Sequence, residues 1–201
     1  LREAGARVNP AVTSALATAL GDTANWRALA QLQRSQPLRS LVHCPHLLSQ
    51  CIAAGEYALA CRLLRRAEEA SRDDFGVALQ RLLLPHATAS TAAAVDAFQR
   101  RLLSDAAERV SSVEAAPSSS AVAAAAFEVA AVDGFSPYQL PMHAFIAWRQ
   151  DECAIGNVCR ALPSKAALRL LRYLFRWIRV LLADDSLLPC WQTHWCGVVV
   201  G

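Results

Sequence analysis

Along most of the chain, apolar residues recur every three or four positions, the period of an α-helix with one buried side. The most regular stretch is Leu162–Leu182, LPSKAALRLLRYLFRWIRVLL. Lys165, Arg169, Arg172, Arg176 and Arg179 follow one another at alternating steps of four and three, which sets five cations on one helical stripe. Pro163 and Ser164 predict the start of this helix, with Ser164 as N-cap. The remaining positions are almost wholly apolar. Neighbours are therefore expected to bury most of its circumference, including Tyr173, Phe175 and Trp177, and to leave only the cationic stripe outside. No acidic residue lies between Glu152 and Asp184.

The same periodicity continues upstream. Pro10–Leu20 reads as a short helix stopped at Gly21, and Asp22 is placed to cap the next, which carries Trp26, Leu29 and Leu32 and ends before Pro37. Leu38–Cys44 connects. Pro45 suits the first turn of a helix through Leu47, Leu48, Cys51 and Ile52. Gly55 ends that helix and Tyr57–Ala70 returns as its partner, so residues 45–70 predict an αα-hairpin. Asp73 or Asp74 opens a further helix ending at Pro85, and another spans Ser90–Val113 with Val95, Phe98, Leu102, Leu103 and Val110 on its apolar side. Beyond the small, polar stretch Ser111–Ser120, helices are expected over Ala121–Val132, Gln139–Trp148 and Cys153–Leu162, with a last element from Cys190.

This rhythm predicts an all-α fold, an α-solenoid-like stack of helical hairpins. It divides into an N-terminal helical group (1–114), a linker (115–120) and a C-terminal group (121–201) that contains the cationic helix. Within that group Phe127, Phe145, Trp148 and the Trp191–Trp195 segment are the expected packing partners of Leu162–Leu182. The composition agrees, because the chain is 54% hydrophobic, rich in Ala and Leu, and only 18% charged over 201 residues. A net charge of +3 is too small to mark a nucleic-acid binder overall. No run of roughly 18 uninterrupted apolar residues occurs, so no membrane span is expected. Seven cysteines, an odd number with no CxxC, fit buried free thiols in a reducing intracellular compartment. The chain starts at Leu1, which fits a piece of a longer protein.

Candidate chemistry is sparse. His43, Cys44, His46 and Cys51, with His86 beyond, lack the paired spacing of a zinc site, and Cys51 falls on the core side of its helix. Cys190 and His194, with Cys196 beyond, have no identifiable third group to orient a base. The acid pairs Asp73–Asp74, Asp151–Glu152 and Asp184–Asp185 are adjacent rather than opposed across a cleft. Two of them precede predicted helices, where negative charge suits the N-terminal dipole. No glycine-rich phosphate loop, GxSxG or HExxH occurs. These readings assign no catalytic residue, cofactor or metal, and point away from an enzyme. What remains is the stripe Lys165, Arg169, Arg172, Arg176 and Arg179 as a partner-binding candidate. Protein contact is favoured over RNA readout there, because the aromatics of the helix are expected to face the core.

Several segments, taken in order, resemble a known family. AAAAFEVAAVDGFSPYQL leads into RALPSKAAL, then LLRYLFRWI, then LLPCWQTHWCGVVVG; upstream lie NWRALAQLQRSQ, PHLLSQCIAAGEYALACRLLRR and a helix ending in LLLP. This order resembles the C-terminal helical region of the nucleolar protein 11 family. The resemblance implies a non-enzymatic ribosome-biogenesis factor of the nucleolus. Such a factor supports pre-ribosomal RNA transcription and processing in the small-subunit processome, and its helical region binds sister subunits, including propeller-bearing ones. Nothing in this chain matches the β-propeller that precedes the region in that family. The rival readings are a cytoplasmic helical subunit of a membrane-trafficking coat or tether, and an RNA-binding helical repeat.

Overall fold

The computed structural model describes residues 9–85, 88–112, 129, 130, 132, 134–148 and 152–183. Helix α1 is Pro10–Asp22, where the Asn9 side chain accepts from the Ala11 amide at 2.9 Å and Pro10 occupies the first turn. It runs through Gly21 instead of stopping there. A Cβ at Gly21 would lie 2.7 Å from Leu47 Cδ1 and 2.8 Å from Gln50 Oε1, so this glycine lets α1 approach the third helix. Helix α2 is Trp26–Ser35, capped by Asn25, whose side chain accepts from the Ala28 amide at 3.2 Å. Asp22 is not its cap; Asp22 Oδ1 accepts from Gln50 Nε2 at 3.1 Å.

Helix α3 is Leu47–Ala53 and α4 is Tyr57–Arg66, joined by a turn in which Gly55 has φ of 77°. They form the expected hairpin with two corrections. Pro45 lies in the turn before α3, and His46, at φ 67°, stands at the N-cap position. Helix α4 ends at Arg66, not Ala70, because the next backbone groups find partners elsewhere. The Ala67 carbonyl accepts from Trp148 Nε1 at 2.8 Å and the Glu68 amide donates to Arg39 O at 2.7 Å. Two short strands follow from this, β1 (Ser40–Leu41) and β2 (Glu69–Ala70), paired in parallel with Ser40 opposite Glu69 and Leu41 opposite Ala70.

Helix α5 is Arg72–Leu83 and α6 is Ala89–Ser112, so α6 takes in the first two residues of the polar stretch at Ser111–Ser120. On α6, Val95 and Phe98 are buried while Leu103 is exposed. Residues 129, 130, 132 and 134 are helical; a 3-10 turn at Pro137–Gln139 leads into α7 (Leu140–Ala147), then α8 (Glu152–Ala161) and α9 (Ser164–Ala183). Ser164 is the first residue of α9, and the Pro163 carbonyl accepts from the Ala166 and Ala167 amides at 2.8 and 2.9 Å. The fold is all-α. Helices α1 and α2 pack as neighbours, as do α3 and α4. In addition α4 packs on α7, and α5 packs on α3, α7, α8 and α9. Contacts of that reach are more than nearest-neighbour hairpins supply. Phe75 of α5 stacks on Phe145 and Trp148, with ring centroids 5.4 and 5.3 Å apart, so one hydrophobic cluster draws on helices from both ends of the chain.

Asp74 has a different task from capping its own helix. It is 2% exposed, and its two carboxylate oxygens accept from the Leu48 and Ser49 amides of α3 at 2.8 and 2.9 Å. No side chain caps α3 at His46. A seven-residue helix leaves orphan amides at its start, and here they are buried, so the α5 carboxylate supplies what water cannot. Asp74→Ala is expected to lower unfolding free energy by at least about 2 kcal/mol, because two buried donors lose a charged acceptor; urea unfolding measures it.

On α9, Tyr173 and Trp177 are buried as expected, but Phe175 is 63% exposed. Leu168, Leu171, Ile178 and Leu182 are exposed with it, so neighbours cover far less of this helix than its composition predicts. Trp177 packs on Phe135 and His143, whereas Phe145 and Trp148 pack on Phe75; Phe127, Trp191 and Trp195 lie outside the described residues. Trp177→Ala is expected to cost about 3–5 kcal/mol. Phe175→Ala should change denaturant midpoints little, since its ring already meets solvent.

Candidate functional site

Three parallel rows run along α9. The inner row is Ala166, Leu170, Tyr173 and Trp177, all buried. Lys165, Arg169, Arg172 and Arg176 each precede one of these by a single residue, about 100° around the helix, and with Arg179 make the cationic row. Leu168, Leu171, Phe175 and Ile178 each precede a cation by one residue, so a further 100° gives an outer apolar row, extended by Leu182.

Polar contacts lock the inner row. Trp177 Nε1 donates to the Tyr173 hydroxyl oxygen at 2.8 Å and to His143 Nδ1 at 3.2 Å. Tyr173 also hydrogen-bonds His143 Nδ1. Because Nδ1 accepts from Trp177 it is the unprotonated ring nitrogen, so the Tyr173 O–H is the donor to the imidazole. Phe135 covers the group, tilted on Trp177 at 4.6 Å between centroids and edge-on to His143 at 5.1 Å. Burial raises the Tyr173 phenol above its ordinary range, and the Trp177 hydrogen bond offsets part of that rise.

All five cations of the sequence-predicted site are exposed and share one side of α9. Two also serve the fold. Arg169 donates to the Leu83 carbonyl at 2.8 Å and so closes the C-terminus of α5. The Arg176 guanidinium lies 5.4 Å over the Phe135 ring. Among the described residues none of the five is paired with an acid. Beside them opens a groove of about 730 Å³, lined by Gly134, Arg172, Phe175, Arg176, Arg179, Val180 and Ala183.

The remaining sequence candidates do not converge on a reaction centre. Cys44 and Cys51 are buried while His43 and His46 point outward, and no group of three metal-ligating side chains gathers among the described residues. Burial raises the Cys44 and Cys51 thiols and pushes Cys61 up to about 11, which keeps them protonated and unreactive. Asp73 is exposed and Asp74 is committed to α3. His86, Asp151, Asp184, Asp185, Cys190, His194 and Cys196 lie outside the described residues. Two features escaped the sequence. One is the outer apolar row, whose three-and-four spacing was readable but not its exposure. The other is a meeting of arginines from three helices. Burial lowers the Arg62 pKa, and the nearby charges of Arg101, Arg34 and Arg65 lower it further against a counteracting Asp105.

No protein-family model, curated protein or solved structure matches the chain. No described helix is long and apolar enough to cross a membrane.

The buried thiols make stability fall in alkali. Above pH 9.0, the ordinary value, thiols of the unfolded chain ionise while Cys61 stays protonated until about 11. The unfolded state then binds fewer protons, so unfolding free energy drops as pH rises. Each such thiol contributes a slope of about 1.4 kcal/mol per pH unit. Urea unfolding from pH 8 upward should show this decline, and Cys61→Ala should flatten it by one thiol's share. A flat profile in the parent protein would contradict the buried assignment.

Proposed function

We propose that the chain is a non-enzymatic protein-interaction region of a larger assembly, and that the assembly is the one its family resemblance implies. In that reading it is part of a nucleolar ribosome-biogenesis factor. It would support pre-ribosomal RNA transcription and processing within the small-subunit processome, and its helices would serve as a scaffold for sister subunits, including propeller-bearing ones.

The observation that carries the interaction reading is α9. Its inner row is fixed by burial and hydrogen bonds, while Lys165, Arg172 and Arg179 and an apolar row face outward. A rigid helix with an exposed apolar row and unpaired cations has the composition of a binding surface. Protein is favoured over RNA as the partner. Of the three aromatics on α9 only Phe175 faces outward, and its companions Leu168, Leu171, Ile178 and Leu182 offer neither stacking planes nor hydrogen bonds for bases.

Affinity capture with the whole chain tests the assignment. Processome proteins should be recovered from nucleolar extract. Capture should fall with Arg172→Glu plus Arg179→Glu at unchanged melting temperature, because neither side chain has a structural partner among the described residues. Recovery of coat subunits without processome proteins would remove the nucleolar reading. Undiminished capture by the folded double variant would take the cationic row out of it.

A further inference from the structure

We infer that the outward side of α9 docks a single amphipathic helix from a protein partner, one that carries acidic residues along one flank of its apolar stripe. The inference rests on the protein-binding reading above and names the chemistry of the partner.

Leu168, Leu171, Phe175, Ile178 and Leu182 follow one another at steps of three, four, three and four. That is the a/d spacing by which one helix seats another along its length. All five are exposed, from Leu168 at 49% to Leu182 at 76%. At 1.5 Å per residue the row is about 21 Å long, the length of about four turns of a partner helix.

Charge then selects the occupant. The cations lie on one flank of the apolar row only. The other flank is half-buried Ala167 with Leu174 and Leu181, and the two leucines pack against the protein's own core. Helix α9 carries no acidic residue from Ser164 to Ala183. A second copy pairing through this face would therefore bring no acid to the cations, and in an antiparallel pair it would set cation against cation. A lipid surface is the poorer match, because an interfacial helix wants its apolar face free on both edges, and here one edge is built into the fold. A partner helix with Glu or Asp along one flank meets both requirements. Its apolar stripe covers the outer row, and its acids reach Arg172, Arg176 and Arg179, which line the groove that runs along the cationic row toward Gly134.

Fluorescence anisotropy with the full chain tests this. The probe is a labelled synthetic peptide of about 18 residues with Leu at a and d and Glu along one flank. Saturable binding is expected, weakening as salt is raised. Leu171→Ser plus Ile178→Ser should reduce affinity about tenfold or more, as should Arg172→Glu plus Arg179→Glu. The second variant should instead accept a peptide with Lys in place of Glu. Four results would overturn the inference: no binding by the intact chain, binding indifferent to both double variants, binding of phosphatidylserine vesicles but not the peptide, or self-association abolished by Leu171→Ser plus Ile178→Ser. Failure of the peptide alongside successful capture of processome proteins would remove this docking mode and leave the proposed function standing. Peptide binding alongside capture of coat subunits alone would do the reverse.

Discussion

One buried carboxylate sets the position of the helices around it. Asp74 accepts from two consecutive amides of α3, and both partners are shielded from water. A helix of seven residues has little stability of its own, and a carboxylate taken out of water is costly unless its oxygens are satisfied. Each group removes the other's penalty, so α3 and α5 hold one relative position. Arg81 adds a bond from its guanidinium to the Ser49 carbonyl at 3.4 Å. With α3 fixed on one side of α5, the other sides of α5 receive α7, α8 and α9.

Links of long sequence reach complete the arrangement. Trp148 donates to the Ala67 carbonyl, and Arg169 to the Leu83 carbonyl. Both acceptors are carbonyls at or beyond the ends of helices, where intrahelical partners run out. The same logic that attaches α3 to α5 thus attaches the C-terminal helices to the N-terminal ones. It leaves α9 anchored on one side and open on the opposite one. A face that must meet a partner benefits from being held in shape before the encounter, since less ordering is then lost on binding.

The sequence showed what is local. Periodicity located the helices, Gly55 marked the α3–α4 turn, and the cations fell on one side of α9. What it hid depends on distant neighbours. Asp74 was readable as a capping residue, but its recipient was not, because an N-terminal acid can serve whichever helix start lies nearest. Ala67–Ala70 continues a helical pattern, yet the chain leaves the helix there because Arg39 and Trp148 provide other partners for its backbone. Helix α9 has two apolar rows of similar character. Spacing separates Tyr173 and Trp177 from Phe175 and Ile178, but only tertiary packing decides which row is covered. Arg34, Arg62, Arg65 and Arg101 come together from α2, α4 and α6, a meeting that no sequence window contains.

Helices from both ends of the chain form one cooperative unit centred on α5, so that the open face of α9 is rigidly presented. Native-state hydrogen exchange distinguishes one such unit from helices that open separately. The amides of Leu48 and Ser49 in α3 and those of Tyr173 and Leu174 in α9 should exchange only through global unfolding, with one common free energy and one common denaturant dependence. Exchange of the α9 amides through a separate opening of much lower free energy, with α3 still protected, would show that α9 is not part of one cooperative unit with α3 and α5.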